Sequence, residues 1–389
     1  MRLSNLFIES IGLYLPESYS TEAAVVDGRL DADTREKTGW TGTAVAGEIS
    51  APDMAVIAAK EALSRSRYSG EDLALILYGG TGIHGIPGWP THHYVQREAV
   101  GGTAPAVGIE AGCNSTLLGF SLAAGYLSLL PAPKAALIVG ADNWGSPEFD
   151  RYGYAVGATD RGSFLGDAAS AVIVSSEAGF ARVESLVNAS LPEFEEMFRL
   201  PGPLFPLRFD WASAADVAAR TRSFIKRYPK KLPQMMCDFV CKRRDLIDDA
   251  LADAGIGMSD VQRVTHVFSG TSGYIEALLA PFGKPSETGM LDYGRDLGHL
   301  SVSDHPAALT HLIVTGQIGV GDRVLMVNNG AGMSLTVAVV RIESVPQWPQ
   351  ITRHRTVRRS VGAWHPHHRN RSAPGLAASF RARPQIAVD

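Results

Sequence analysis

The chain has 389 residues, 45% of them hydrophobic and 20% charged, with a mean hydropathy near zero. That balance describes a globular protein with a large core, and a net charge of −4 with a pI near 6.3 excludes the basic surplus of a nucleic-acid binder. No run approaches the roughly 18 apolar residues of a membrane span, and the odd set Cys113, Cys237 and Cys241 argues against a disulfide framework, so a cytoplasmic protein is expected.

Taken in chain order, the elements alternate. Met54–Ser66 spaces its apolar residues by three and four, which predicts a helix, and Leu73–Tyr78 (LALILY) is short and apolar enough for a buried strand. Ser115–Leu129 is an almost wholly apolar helix, followed by strands at Ala135–Val139 and Ala171–Ser175. An apolar helix between apolar strands implies a layered core whose central helices meet no water. The second half repeats the recipe: a helix at Met235–Ala254, a strand at Val264–Phe268, helices at Ile275–Phe282 and Pro306–Thr315, and a strand pair at Val324–Val327 and Leu335–Ile342. We therefore divide the chain into halves at 1–178 and 179–345. An insertion or cap is expected at about 181–232, rich in Pro, Phe and Arg, and a basic, disordered tail over 346–389.

Cys113 stands in Ile109-Glu-Ala-Gly-Cys-Asn-Ser-Thr-Leu-Leu-Gly-Phe120, where a long helix begins just after the thiol. The positive end of a helix macrodipole favours thiolate, so the local context suits a nucleophile; a buried structural cysteine fits it equally well. Cys237 and Cys241 lie one turn apart on the predicted 235–254 helix, with no further Cys or His nearby to make a metal site, and read as core packing.

The Cys113 window resembles the active-site elbow of β-ketoacyl-ACP synthase III enzymes. Three more stretches fall in that family's order: Gly12-Leu-Tyr-Leu-Pro16, Leu165-Gly-Asp-Ala-Ala-Ser-Ala171 and Asn329-Gly-Ala-Gly-Met333. The resemblance spans about Leu6 to Ile342. It implies the five-layered αβαβα thiolase fold of two pseudo-duplicated halves, usually a homodimer, and an acyl group carried on Cys113. It also implies that the strand ending in His266 supplies a catalytic histidine. The family's Gly-Asn-Thr-Ser motif is replaced by Gly298-His299-Leu300-Ser301, so that His299 stands in the place of the asparagine.

Asp304 follows five residues later, and an anionic carboxylate cannot stabilise the enolate of a decarboxylating condensation. It can orient His266 in a Cys113–His266–Asp304 triad suited to acyl transfer onto a hydroxyl or amine; capping the helix at Pro306 is its alternative role. The same change marks an ester-forming branch of the family in polyketide, glycoside and antibiotic biosynthesis. By the same resemblance, Ala331 and Gly332 bear the oxyanion loop, His299 the acyl-binding site, and Arg161 the contact to coenzyme A.

The basic run Arg227, Lys230, Lys231 is expected to receive an acidic acyl carrier protein, with a phosphopantetheine thioester as donor and no permanently bound cofactor or metal. The expected function is transfer of an acyl group from an acyl-carrier or CoA thioester through Cys113 to a small-molecule acceptor. A starter-unit condensing enzyme, with His299 covering for the asparagine, is one alternative; an inactive partner subunit is the other.

Overall fold

Twelve strands organise the described chain: β1 (Phe7–Pro16), β2 (Ser18–Ser20), β3 (Gly42–Ala44), β4 (Leu73–Gly79), β5 (Ala106–Ile109), β6 (Ala135–Asp142), β7 (Ala168–Ser175), β8 (Ala181–Ser190), β9 (Arg263–His266), β10 (Arg323–Gly330), β11 (Ser334–Ile342) and β12 (Arg353–His354). The computed structural model describes residues 2–3, 5–82, 84–131, 134–146, 149–153, 163–199, 201–205 and 217–356, with only the backbone at 217 and 218. All of these lie in one compact unit, Met1–Val357.

The large sheet runs β5-β4-β6-β7-β1-β8-β11-β10-β9. Its two ends share a design. β4 pairs with β6 in parallel, and β6–β7 and β7–β1 are antiparallel; likewise β9–β10 is parallel, and β10–β11 and β11–β8 are antiparallel. The halves meet through two residue pairs, Phe7 with Arg182 and Ile8 with Ala181. A duplication inferred from element order thus appears as a repeated strand pairing.

Strand periodicity builds the layers, because alternate side chains leave opposite faces of a sheet. Ala135, Leu137 and Val139 of β6 pack with the outer helix Ala51–Ser64, whereas Ala136 and Ile138 face the central helices. Leu335, Val337 and Val339 of β11 pack with the outer helix Leu232–Ala254, whereas Ala338, Val340 and Ile342 face inward. Between the two half-sheets lie the helices Ser115–Ser128 and Asp304–Val314, contributing Leu117, Phe120, Leu309 and Leu312 to one dry cluster. These are the five layers that the resemblance implies, but Leu122 and Tyr126 are exposed, so the Ser115–Ser128 helix is not wholly shielded from water as its apolar pattern suggests. The central helices begin next to Cys113 and at Asp304, so the layering brings the two chemical segments to one place.

Two boundaries need correction. Residues 181–190 are not insertion but β8, paired along β11; Pro and Phe first dominate from Pro192 onward. The tail does not begin at 346. Leu15 and Pro16 of β1 pair with Arg353 and His354 of β12, His354 stacks on Tyr14 at 4.2 Å, and Trp348 meets Phe180 edge-on at 4.9 Å. Aromatic side chains, not periodicity, hold this strap, which is why apolar patterning missed it. Residues 357–389 lie outside the described chain.

Candidate active site

Cys113 sits in the single turn Gly112–Asn114 that opens the helix Ser115–Ser128. Gly112 has φ +53°, and a Cβ there would come within 3.0 Å of Ala331 Cβ and 3.1 Å of Ala331 N. Glycine is therefore what lets the nucleophile turn lie against the Ala331 loop. Asn328 Nδ2 donates to the Cys113 carbonyl at 3.0 Å, and Asn114 Nδ2 donates to Thr336 Oγ1 at 2.9 Å, so the β10–β11 hairpin grips the turn from both sides.

His299 Nε2 stands 3.0 Å from Cys113 Sγ, and His299 Nδ1 stands 2.7 Å from Asp304 Oδ2. The backbone of His299 is tied into the molecule by its N–H to Phe164 O at 2.7 Å and by Gly166 N–H to its own carbonyl at 3.0 Å. Position 298 must be glycine for this stitch: φ is +78°, and a Cβ would lie 2.9 Å from Phe164 O. The Leu165-Gly-Asp167 motif thus serves the site by holding the histidine's backbone. Asp304, 1% exposed, accepts from Leu300 N at 2.7 Å and Phe268 N at 2.9 Å besides His299. Its carboxylate bonds backward to the preceding turn and to the chain after β9, so the geometry is not that of a cap on its own helix.

The charges are coupled. Burial alone would push the Cys113 thiol up, but the positive His299 beside it, with hydrogen bonds from His299, Ser301 and Thr81, turns the shift downward. Burial opposes charging His299, yet Cys113 and Asp304 on its two sides raise it well above the ordinary imidazole value. The arrangement favours a thiolate–imidazolium pair backed by a carboxylate.

The expected contact between Asp304 and His266 is not made: the carboxylate bonds His299, Leu300 N and Phe268 N instead. His266, fully buried at the end of β9, has both ring nitrogens engaged: Nδ1 donates to Val267 O at 2.8 Å, and Nε2 accepts from Met290 N–H at 2.9 Å. Burial lowers its pKa to about 4, which keeps it neutral. Asp304 thus meets His299 rather than His266, whose two ring nitrogens are both taken up by backbone.

Of the remaining expected residues, Ala331 lies against Gly112 and Gly332 has φ +129°. Arg161 lies outside the described residues. Arg227 is half-buried, paired with Glu196 and donating to its carbonyl at 3.2 Å, so it is occupied within the insertion; Lys230 and Lys231 are exposed. Cys237 and Cys241 are exposed, which corrects their reading as core. No helix among the described residues is long and apolar enough to cross a membrane. Thr81 and Ser301, which touch the Cys113 sulfur, were not singled out from the sequence. The available signal for Thr81 was its Gly-rich bend directly after a parallel strand, a customary place for a site in α/β sheets.

Residues 251–342 match the family model for the C-terminal part of 3-oxoacyl-[acyl-carrier-protein] synthase III. The chain is 26% identical over 353 residues to the mycobacterial β-ketoacyl-[acyl-carrier-protein] synthase III of Mycobacterium tuberculosis, covering 86% of this chain and 94% of that protein. It is 23% identical over 349 residues to the synthase III of Clostridium perfringens, covering 87% and 100%. Among solved structures, the acyltransferase ChlB3 is 34% identical with a TM-score of 0.80, over 89% of this chain and 100% of that one. The synthase III of Aquifex aeolicus shares the fold at a TM-score of 0.66 with 22% identity, over 86% and 99%.

Proposed function

Because this chain belongs to the ketoacyl-ACP synthase III-like family of the thiolase superfamily, we propose that it is an acyltransferase. In this reading an acyl group passes from an acyl-carrier-protein or CoA thioester to Cys113, and from there to a hydroxyl or amine of a small molecule. The observation that carries the reading is the line Cys113 Sγ–His299–Asp304, at 3.0 Å and 2.7 Å.

The Cys113 thiolate attacks the donor carbonyl, and the departing phosphopantetheine sulfur takes the proton from His299 Nε2. His299 is then neutral and accepts the proton of the attacking hydroxyl or amine, while Asp304 stabilises the imidazolium. Backbone N–H groups of Cys113 and of the Ala331–Gly332 loop are the proposed oxyanion donors. Decarboxylative condensation asks instead for two free donors on a thioester carbonyl. Both nitrogens of His266 are committed, and His299 is bonded to a carboxylate, which supports ester or amide formation over carbon–carbon bond formation. The carrier protein as donor is supported by the names of the synthase relatives.

The test offers the enzyme acyl-carrier thioesters with hydroxylated or amino acceptors, and malonyl-carrier separately. Acylated acceptor without release of carbon dioxide from the malonyl donor is the expected result; carbon dioxide release coupled to a ketone product would replace this reading with condensation.

A further inference from the structure

Two hydroxyls share the Cys113 sulfur with His299. Thr81 Oγ1 lies 3.7 Å from Sγ, Ser301 Oγ lies 3.6 Å from it, and the two hydroxyls are 2.7 Å apart. A hydroxyl has one proton to give. The bond between the pair uses one of their two protons, so the other remains to be donated to the sulfur.

Both hydroxyls are fixed through their backbone, Ser301 by its dihedral angle and Thr81 by hydrogen bonds. Ser301 has φ +55° and is the single non-glycine residue with positive φ among the described residues. An L-residue adopts that conformation rarely, mostly where surroundings impose it. Thr81 belongs to a bend clamped on Asp142, the fully buried last residue of β6. Thr81 N–H donates to both Asp142 oxygens at 2.9 and 3.1 Å, and Gly82 N–H donates to Oδ1 at 2.5 Å. His84 Nε2 stands 3.1 Å from that same oxygen, with its Nδ1 3.1 Å from the Tyr78 hydroxyl. A buried carboxylate aligning this bend has no use in the acyl-transfer line itself.

We propose that the Thr81–Ser301 hydroxyl pair is a catalytic donor set for the Cys113 sulfur, with Asp142 and His84 as its positioning residues. The proposal rests on Cys113 as the acyl carrier. In the transfer step the acceptor oxygen or nitrogen bonds to the acyl carbon, and its proton goes to His299 Nε2. The carbon–sulfur bond then breaks and its electron pair stays on Sγ. The hydroxyl pair donates to the sulfur as that charge appears, and His299 holds the counter-charge. Loading is the reverse for sulfur: its charge enters the new bond and the hydroxyl donor is released. A donor that stabilises thiolate therefore helps departure more than attack, because thiol nucleophilicity falls only about half as steeply as thiol pKa.

The test is the pH dependence of Cys113 alkylation by iodoacetamide, read by intact mass in the full chain carrying Cys237→Ser and Cys241→Ser. The charged and titratable groups around the sulfur are His299 with Asp304 behind it, and Asp142 with His84 behind Thr81. Ser301→Gly removes the hydroxyl and accepts the positive φ, so it keeps the fold; Thr81→Val removes the other hydroxyl, and Thr81→Ser restores it. We expect Ser301→Gly and Thr81→Val to raise the alkylation midpoint by roughly 0.5–1 pH unit, with Thr81→Ser at the parent value. Unchanged midpoints in both would overturn the proposal. His299→Ala separates it from the broader reading: a midpoint unmoved by His299→Ala contradicts the thiolate–imidazolium pair itself.

Discussion

His299 and Asp304 are joined across a tight turn rather than along a helix face, with Nδ1 and Oδ2 2.7 Å apart. Between them, Ser301–Ser303 form one short helical turn that follows Leu300 and is entered through the positive φ of Ser301. The same carboxylate accepts the N–H of Leu300, the residue leading into that turn, so its charge and its position are set together.

Asp304→Asn keeps the shape and loses the charge that stabilises imidazolium during attack by the acceptor. Loss of such an orienting carboxylate costs on the order of 10⁴ in turnover in hydrolytic triads. Loading of Cys113 is expected to persist and transfer to collapse, so acylated enzyme accumulates in a time course followed by intact mass. Transfer at the parent rate would reduce Asp304 to a support for the turn.

His266 is expected to matter for stability. Burial takes both His266 and His305 down to about 4 from an ordinary 6.5. Between those values the unfolded chain binds protons that the native core refuses. The contribution of each is therefore complete above about pH 6.5 and is lost as the pH falls towards 4, on the order of 3 kcal/mol apiece. His266→Gln should flatten the decline in melting temperature between pH 7 and pH 5 while changing turnover by less than about tenfold. A pH profile of melting that matches the parent would contradict the account of His266.

Much of this was readable in the residues, for physical reasons that also mark the limit. Buried strands such as Leu73–Gly79 and Ala135–Asp142 are legible because their apolar runs are short and bounded. Cys113 is legible because a glycine and a helix start frame it. The histidine that Asp304 meets was not legible: His266 ends a strand where the family resemblance puts a catalytic histidine, but the carboxylate bonds His299. Only three dimensions show that Met290 N–H and Val267 O take up both nitrogens of His266. Ser301 and Thr81 were invisible as partners because 220 residues separate two hydroxyls 2.7 Å apart. The strap escaped because Trp348 and His354 dock singly, against Phe180 and Tyr14, with no repeat to detect.

The strap makes truncation position-sensitive. A chain ending at Ser344 loses the Trp348 and His354 contacts, the pairing of β12 with β1 and the Thr356 hydroxyl bond to Val45 O at 2.9 Å. It should melt lower than a chain ending at Thr356, by a margin on the order of 5 °C. Equal melting temperatures for the two lengths would show that the strap adds nothing.

Carrier docking on the exposed Lys230 and Lys231 is tested by their joint reversal to Glu. Arg227 is left intact because it pairs with Glu196. The apparent KM for a carrier-bound donor should rise several-fold and ease with salt, as exposed charges do within a screening length of about 10 Å. A small thioester mimic should be unaffected. Equal losses for both donors would place the dock elsewhere.

In the proposed reaction Cys113 carries the acyl group and His299, not His266, moves its proton. The most direct measurement is intact-protein mass over time, with an acyl-carrier thioester added first and the acceptor second. It compares the parent with Cys113→Ala, His299→Ala and His266→Gln. An acyl adduct that appears and then discharges is expected in the parent and in His266→Gln, with no adduct in Cys113→Ala, and with slowed loading and failed discharge in His299→Ala. An adduct retained in Cys113→Ala, or discharge that survives His299→Ala and is abolished by His266→Gln, would contradict this assignment.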